Sequence, residues 1–176
     1  MTAADVAPAE APVAAPSVVV RRHSRNAIFA EALGNGLTYS LNYERLFFPW
    51  KSESPWNLGL RGGASYLAYK ISNAVGSGVL QLATFPVVLS WYVGLPHHKL
   101  QLGIGATLLY VSASTDAAGT KFESTTEGFG IAATAVVGYR YMPEHTGFTF
   151  AVGFTPLLRT GKGFLPWGGA SAGIAF

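Results

Sequence analysis

The chain has 176 residues, which suits one domain. Charged residues are only 12% and hydrophobic residues 49%, about half the charge of an ordinary soluble domain. Cysteine is absent, which excludes disulfides, thiol catalysis and thiolate metal sites. The net charge of +3 gives no ground for nucleic-acid binding, because its densest cluster is only Arg21, Arg22 and Arg25. No stretch reaches the ~18 to 20 unbroken apolar residues of a spanning helix. The apolar residues alternate instead, among 21 glycines and 13% aromatics, which favours strands.

Residues 1–25 form an Ala/Pro-rich leader whose prolines forbid regular helix or sheet. It has no basic region followed by an apolar run, so the expectation is that a signal peptide preceded Met1 and was removed. The predicted barrel covers 26–176. Strand one is Asn26 to Leu33, followed by a hairpin turn at Gly34-Asn35-Gly36. Strand two, Leu37 to Phe47, sets Leu37, Tyr39, Leu41 and Tyr43 against Thr38, Ser40, Asn42 and Glu44. A loop with two prolines and two tryptophans runs from Phe48 to Trp56. Strand three is Asn57 to Lys70, and a Gly/Ser/Asn loop spans Ser72 to Gly78. Strand four, Val79 to Gly94, contains Pro86, which predicts a bulge because proline lacks a ladder donor.

Pro96 to Lys99 is a short turn. Strand five, Leu100 to about Ser114, alternates most cleanly: Leu100, Leu102, Ile104, Ala106, Leu108 and Tyr110 oppose Gln101, Gly103, Gly105 and Thr107. Asp116 to Glu127 reads as the longest polar loop. Strand six is Gly128 to Met142, Pro143 to Gly147 a turn, and strand seven Phe148 to about Arg159. A loop from Thr160 to Pro166 leads to the last strand, where Ile174 and Phe176 share a face opposite Gly169, Ser171, Gly173 and Ala175. Eight strands of about 9 to 14 residues exceed the ~5 to 6 of soluble sheets and match the ~9 to 11 a tilted spanning strand needs.

Alternation does not say which face points outward. With the aliphatic face inside, the exterior would be Gly, Ala, Ser and Thr with few charges, short of the ~25 to 35% charged residues that suit a soluble surface. A narrow eight-stranded barrel has interior room only for side chains, which suits the small residues. The aliphatic and aromatic face is therefore expected to meet lipid, in a closed all-β, antiparallel up-and-down transmembrane barrel. Aromatics gather in two girdles. One holds Phe47, Phe48, Trp50, Trp56, Trp91, Tyr139, Tyr141, Phe148 and Phe176; the other holds Tyr39, Tyr66, Tyr110, Phe154 and Trp167. The inward face carries Glu31, Glu44, Arg61, Arg140 and Arg159, which are expected to pair as a network that plugs the lumen.

Strand count, girdles and terminal Phe176 make residues 26–176 resemble the small eight-stranded bacterial outer-membrane barrels, such as the transmembrane domain of outer membrane protein A. The resemblance implies a bacterial outer-membrane location and a bilayer with its outer-membrane lipids as partner. It also implies insertion by the barrel assembly machinery through the strand ending in Phe176, and a monomer. Both termini and the turns at Phe48–Trp56, Pro96–Lys99 and Pro143–Gly147 would be periplasmic. The four other loops would face outside, with Asp116–Glu127 the candidate contact loop.

Some barrels of this size are lipid A acyltransferases or deacylases, which need a serine activated by histidine. Here His23 lies in the leader and His97, His98 and His145 in turns at the expected periplasmic end, away from lipid A. Adjacent turn histidines without a neighbouring carboxylate make a poor metal site. Gly103-x-Gly105 and Gly128-x-Gly130 lie within strands and read as packing glycines. No cofactor is implied. The function expected is non-enzymatic, structural or in surface interaction. The alternatives are a narrow ion pore, and a soluble ligand-binding barrel with its faces inverted.

Overall fold

The computed structural model describes residues 24–48, 55–73, 76–117, 123–159 and 163–176. Trp50 and the leader up to 23 lie outside them, as do the tips at 74–75 and 118–122. The strands are β1 (Asn26–Leu33), β2 (Tyr39–Phe48), β3 (Trp56–Asn73), β4 (Gly76–Gly94), β5 (His98–Ala117), β6 (Glu123–Tyr141), β7 (Gly147–Phe154), β8 (Leu157–Arg159), β9 (Gly163–Leu165) and β10 (Gly168–Ala175). All pairs are antiparallel.

Ten strands make eight staves. β6 pairs β7 through Val137↔Phe154 and β8 through Thr134↔Leu157, in one continuous register. β7 and β8 are thus one strand interrupted at Thr155–Pro156, where proline cannot donate to the ladder. β9 and β10 are likewise one strand interrupted at Pro166–Trp167, for Leu157↔Leu165 and Phe154↔Gly168 keep one register. β1 pairs β10 from Ala27↔Ala175 to Leu33↔Gly169, so the first strand zips to the last and no edge remains there. The eight-stranded antiparallel barrel is closed.

The pairing path Ala27, Glu44, Arg61, Val88, Gly105, Thr134, Leu157, Leu165 travels once round the barrel. It arrives four residues before Gly169, the partner of Leu33. The stagger is therefore about ten residues, from position 27 to position 37, and a stagger of this kind tilts the strands by roughly 35–45°. Neighbouring strands approach closely where glycine faces the lumen. A Cβ added to Gly105 would meet the Val87 carbonyl oxygen at 2.1 Å, and one on Gly173 the Ile28 carbonyl oxygen at 2.1 Å.

Two sequence expectations are corrected. Pro86 makes no bulge: β4 keeps its register with β5 through Pro86↔Thr107, and its pairing to β3 merely lapses between Gly62↔Val87 and Ser65↔Thr84. The bulge lies on β2 instead, between Leu46 and Phe48. Second, the expected loops at 72–78 and 116–127 are largely strand. Asn73 pairs Gly76, and Asp116 pairs Glu123. β3 to β6 run 18 to 20 residues, while β1, β2 and β10 have only 8 to 10. Half of the barrel wall therefore projects as a four-stranded wing beyond the short half.

Gly105→Val drives a branched side chain into backbone rather than into a flexible neighbour. It is expected to cost about 1–3 kcal/mol or more, read as a lower urea midpoint for the folded, slow- or fast-migrating form on unboiled gels.

Candidate functional site: the plugged lumen and its rim

The alternation that builds the strands sends Phe29 and Glu31 from β1, Asn42 and Glu44 from β2, Arg61 from β3, Tyr92 from β4 and Arg140 from β6 into the lumen, all buried. Glu44 and Arg61 are direct register partners, yet they do not pair. Arg140 Nη1 reaches Glu44 Oε2 at 2.8 Å, and the Tyr92 hydroxyl donates to Glu44 Oε1. Arg61 turns to Glu31 at 3.2 Å, where Ser40 also donates to the Glu31 carboxylate at 3.1 Å. Asn42 donates to Ser40 Oγ at 2.8 Å. Both guanidiniums lie over the Phe29 ring, Arg140 at 4.6 Å and Arg61 at 5.7 Å from its centre.

These four charges thus form two ion pairs beside one aromatic ring, and a further buried charge, Lys99, donates to the Gly94 carbonyl at 3.4 Å. This arrangement matches carboxylates and guanidiniums one to one, as low-polarity surroundings demand. Sequence reasoning placed the four charges inward but passed over Tyr92 and Phe29. Alternation with Ser90 would have placed Tyr92 inward. Arg159 ends β8, and its side chain lies outside the described residues.

The turn Gly34–Gly36 overturns its expected outward direction. It is a short 3-10 turn folded into the lumen, with all three residues buried. Thr107 Oγ1 donates to the Asn35 carbonyl at 2.9 Å, Thr134 Oγ1 to Asn35 Oδ1 at 2.7 Å and Thr84 Oγ1 to the Gly36 carbonyl at 3.1 Å. These hydroxyls come from β4, β5 and β6. Leu33 and Leu37 flank the turn with φ of 61° and 71°, a left-handed backbone that costs a leucine about 1–3 kcal/mol. The hydrogen bonds and tight packing hold that strain: a Cβ on Gly34 would lie 2.5 Å from the Glu31 carboxyl. Among the described residues, small cavities of about 20 Å³ each lie near Glu44 and Arg140 and near Glu31 and Arg61. Each is the size of roughly one water.

On the outer surface, exposed and half-buried rings fall into two bands. Near the termini lie Trp56, Trp91, Tyr139, Tyr141, Phe148 and Phe176, joined by Phe150, which stacks on Tyr141 at 5.7 Å. Toward the other end lie Tyr39, Tyr66, Tyr110, Phe154 and Trp167, joined by Phe129 and Phe164. The Phe48 side chain lies outside the described residues. Ten residues separate Tyr139 from Phe129 on β6. At ~3.3 Å per residue and ~40° tilt that is about 25 Å along the axis, the height of an apolar band in hydrocarbon. The outward residues between them, Val137, Ala135, Ala133 and Ile131, carry no charge.

The histidines sit near the termini. His97 Nδ1 lies 3.3 Å from the Met142 carbonyl, with Nε2 3.6 Å from Glu144, and His98 Nδ1 lies 2.6 Å from the Tyr139 hydroxyl. Among the described residues no cluster of three or more His, Asp or Glu could hold a metal ion.

A closed eight-stranded barrel with an apolar outer band and a polar, filled interior is the architecture of the small outer-membrane barrels. Among solved structures, the chain is similar to the attachment invasion locus protein Ail of Yersinia pestis. That likeness has a TM-score of 0.52 at 12% identity, over 88% of this chain and 98% of that one. The same protein in complex with the heparin analogue sucrose octasulfate gives 0.51 at 11% identity, with the same coverage. The N-terminal β-barrel domain of Pseudomonas aeruginosa OprF follows at 0.44 and 16% identity, over 87% of this chain and 99% of that one. No protein-family model and no curated protein sequence matches. The likeness establishes the fold.

Arg140→Ala strands Glu44 in the lumen and is expected to cost about 3–5 kcal/mol in urea unfolding. Replacing the pair together, Glu44→Gln with Arg140→Met, is expected to cost less than the single change, which a double-mutant cycle measures. Thr134→Val removes one anchor of the inward turn and is expected to cost about 1–3 kcal/mol.

Proposed function

We propose that this chain is an integral outer-membrane barrel that does no chemistry and acts through the end opposite its termini, as a structural or surface-interacting protein. The observation that carries the reading is the uncharged outer band of about 25 Å between two sets of aromatic rings. Water-exposed, that band would be an aggregation surface; in a bilayer it is the solvent-matched face. The four lumen residues Glu31, Glu44, Arg61 and Arg140 serve as an internal brace, and the two rings of aromatics as interface anchors. The termini and the turns at 95–97 and 142–146 lie in the periplasm, and the wing faces outside. Phe176 closes the barrel and is the feature that the assembly machinery reads. The bilayer is the obligatory partner, and the barrel works as a monomer.

The pore reading is disfavoured by the buried ion pairs Arg140–Glu44 and Arg61–Glu31 and by the inward turn Gly34–Gly36, which stand in the path of a hydrated ion. The lipid-modifying reading is disfavoured by the position of His97 and His98 beside Glu144 and Tyr139, at the end away from outer-leaflet lipid.

Absence of native cysteine makes single-cysteine variants clean reporters. Ser112→Cys, on the wing, is expected to react with a membrane-impermeant maleimide on intact cells, while Glu144→Cys is expected to react only after the outer membrane is permeabilised. The reverse pattern would invert the orientation, and a protein that stays soluble without detergent and shows no heat-shifted gel mobility would overturn the membrane reading. Planar bilayers containing the folded protein are expected to show no stepped conductance.

A further inference from the structure

One charged side chain stands on the lipid-facing wall. On β2 the outward row runs Leu41, Tyr43, Arg45 and Phe47, all exposed, while Asn42 and Glu44 point inward. Among the described residues, Arg45 is the one charge on the outward face from one band of rings to the other, and it forms no ion pair there. Its height follows from its partners. Arg45 pairs Asn26, and Asn26 pairs Phe176 through N–H to carbonyl bonds of 2.9 and 2.8 Å. Arg45 is therefore level with the band of rings near the termini. A guanidinium on the lipid face is costly at the bilayer centre and costs little at headgroup depth, which is where this one sits. The terminal carboxylate of Phe176 is two strands away, where its oxygen accepts from the N–H groups of Arg25 and Asn26.

Beside Arg45 the wall is grooved. A cross-strand row runs Arg45, Leu60, Leu89 and Ile104. Leu89 and Ile104, with Trp56, Leu58, Trp91 and Leu102, line an apolar groove of about 510 Å³. That volume falls within the ~300–1,000 Å³ of small-ligand sites. Trp56 and Trp91 stand in the band of rings near the termini, and Leu89 and Ile104 lie farther toward the bilayer centre. The groove thus runs from headgroup depth into the hydrocarbon. Arg45 is two strands, or about 10 Å, from Leu89, a gap that an extended arginine and a headgroup bridge together. A second groove, of about 690 Å³ between Phe85, Leu108, Phe129 and Ile131, lies toward the other band of rings. The outward row beyond it is Gln81, Ser112 and Glu127, which offers no cation. A second copy of the chain does not answer Arg45 either, because the side chains of the lipid-facing band, among the described residues, include no carboxylate.

We propose that Arg45 and the Trp56–Trp91 groove together hold one anionic glycerophospholipid of the leaflet around the termini, with its phosphate on the guanidinium and an acyl chain in the groove. The groove is continuous with the lipid-facing band, so acyl chains are what covers it. Arg45 adds the selection. A guanidinium presents paired N–H donors that match two phosphate oxygens. With no carboxylate partner beside it, the site favours a lipid of net negative charge over a zwitterionic one, whose ammonium it repels. The proposal rests on the membrane reading, and on the orientation given above only for which leaflet supplies the lipid.

The test reads tryptophan fluorescence of the folded barrel in phosphatidylcholine nanodiscs. These carry a minor fraction of acyl-brominated phosphatidylglycerol or, in parallel, of acyl-brominated phosphatidylcholine, whose bromines quench a tryptophan they touch. Trp50→Phe with Trp167→Phe leaves Trp56 and Trp91 as reporters in the groove. Trp50→Phe with Trp56→Phe and Trp91→Phe leaves Trp167 as the reference. The groove pair is expected to reach half-quenching at about one-fifth as much phosphatidylglycerol as phosphatidylcholine, the worth of one arginine beside an anionic headgroup. Trp167 is expected to respond to both lipids alike. Arg45→Gln is expected to make the two lipids equal at the groove pair, Arg45→Lys to keep part of the preference, and Lys70→Gln on the wing to leave it whole. Heat-shifted mobility checks that each variant is folded. Equal quenching by the two lipids, a preference that survives Arg45→Gln, or one as strong at Trp167 would overturn the proposal. So would groove tryptophans shielded from both lipids in a sedimenting dimer, or displacement of the phospholipid by equimolar dodecanoate. Both leaflets of a nanodisc have one composition, so the outcome does not depend on orientation. Equal quenching in a folded, embedded barrel rejects the lipid site alone, whereas a barrel that stays soluble without detergent rejects the membrane reading beneath it.

Discussion

The structure depends on closure of the backbone ladder. In hydrocarbon an unpaired N–H or C=O has no water to turn to, so each spanning strand must be paired on both sides. Eight staves achieve that only because β1 and β10, at opposite ends of the chain, pair from Ala27↔Ala175 to Leu33↔Gly169. Closure then dictates the rest. A stagger of about ten residues sets a narrow bore, the bore admits glycine and small side chains at most inward positions, and the few long polar side chains must satisfy one another within it. Where closure is no longer required, at the wing, both the pairing and the polarity pattern change.

The interior shows how limited space converts charge into order. Arg140 takes Glu44, leaving Arg61 to Glu31, although Arg61 is the cross-strand neighbour of Glu44. The choice follows from Tyr92 and Phe29. The Tyr92 hydroxyl joins Arg140 at Glu44, and both guanidiniums lie over the Phe29 ring. Either ion pair alone is weak evidence for stability; together with the Phe29 ring they fill a volume that would otherwise hold water. The inward turn adds a polar lid, so the filled zone runs from the level of Glu44 to that of Asn35.

Much of this was legible in the residues. Alternation placed β1 at its observed bounds, gave eight staves and assigned Glu31, Glu44, Arg61 and Arg140 to the inside. Polarity misled at the wing: Asp116, Ser124, Thr125 and Thr126 read as loop, because that polar stretch shows no apolar alternation although it pairs as strand. The direction of Gly34-Asn35-Gly36 had no local signal. Its anchors Thr84, Thr107 and Thr134 lie 48 to 99 residues away from the carbonyls and amide they bond. Pro86 obeyed its chemistry differently from expectation, since losing a donor interrupted one ladder without shifting its register. Tyr92 and Phe29 were in plain view on the inward face and were passed over because aromatics were counted only as interface residues.

The position of the inward turn has a kinetic consequence. It belongs to the β1–β2 hairpin at the closing seam, yet it is anchored by hydroxyls from β4, β5 and β6. A barrel that closed before the turn had entered would have to reopen to admit it. The β4–β6 sheet, built from sequence neighbours, is the economical element to form early, and loop closure over 150 residues the slow one. The seam therefore closes with its stopper already seated, and the two strained leucines, Leu33 and Leu37, are set in the last step of folding rather than the first.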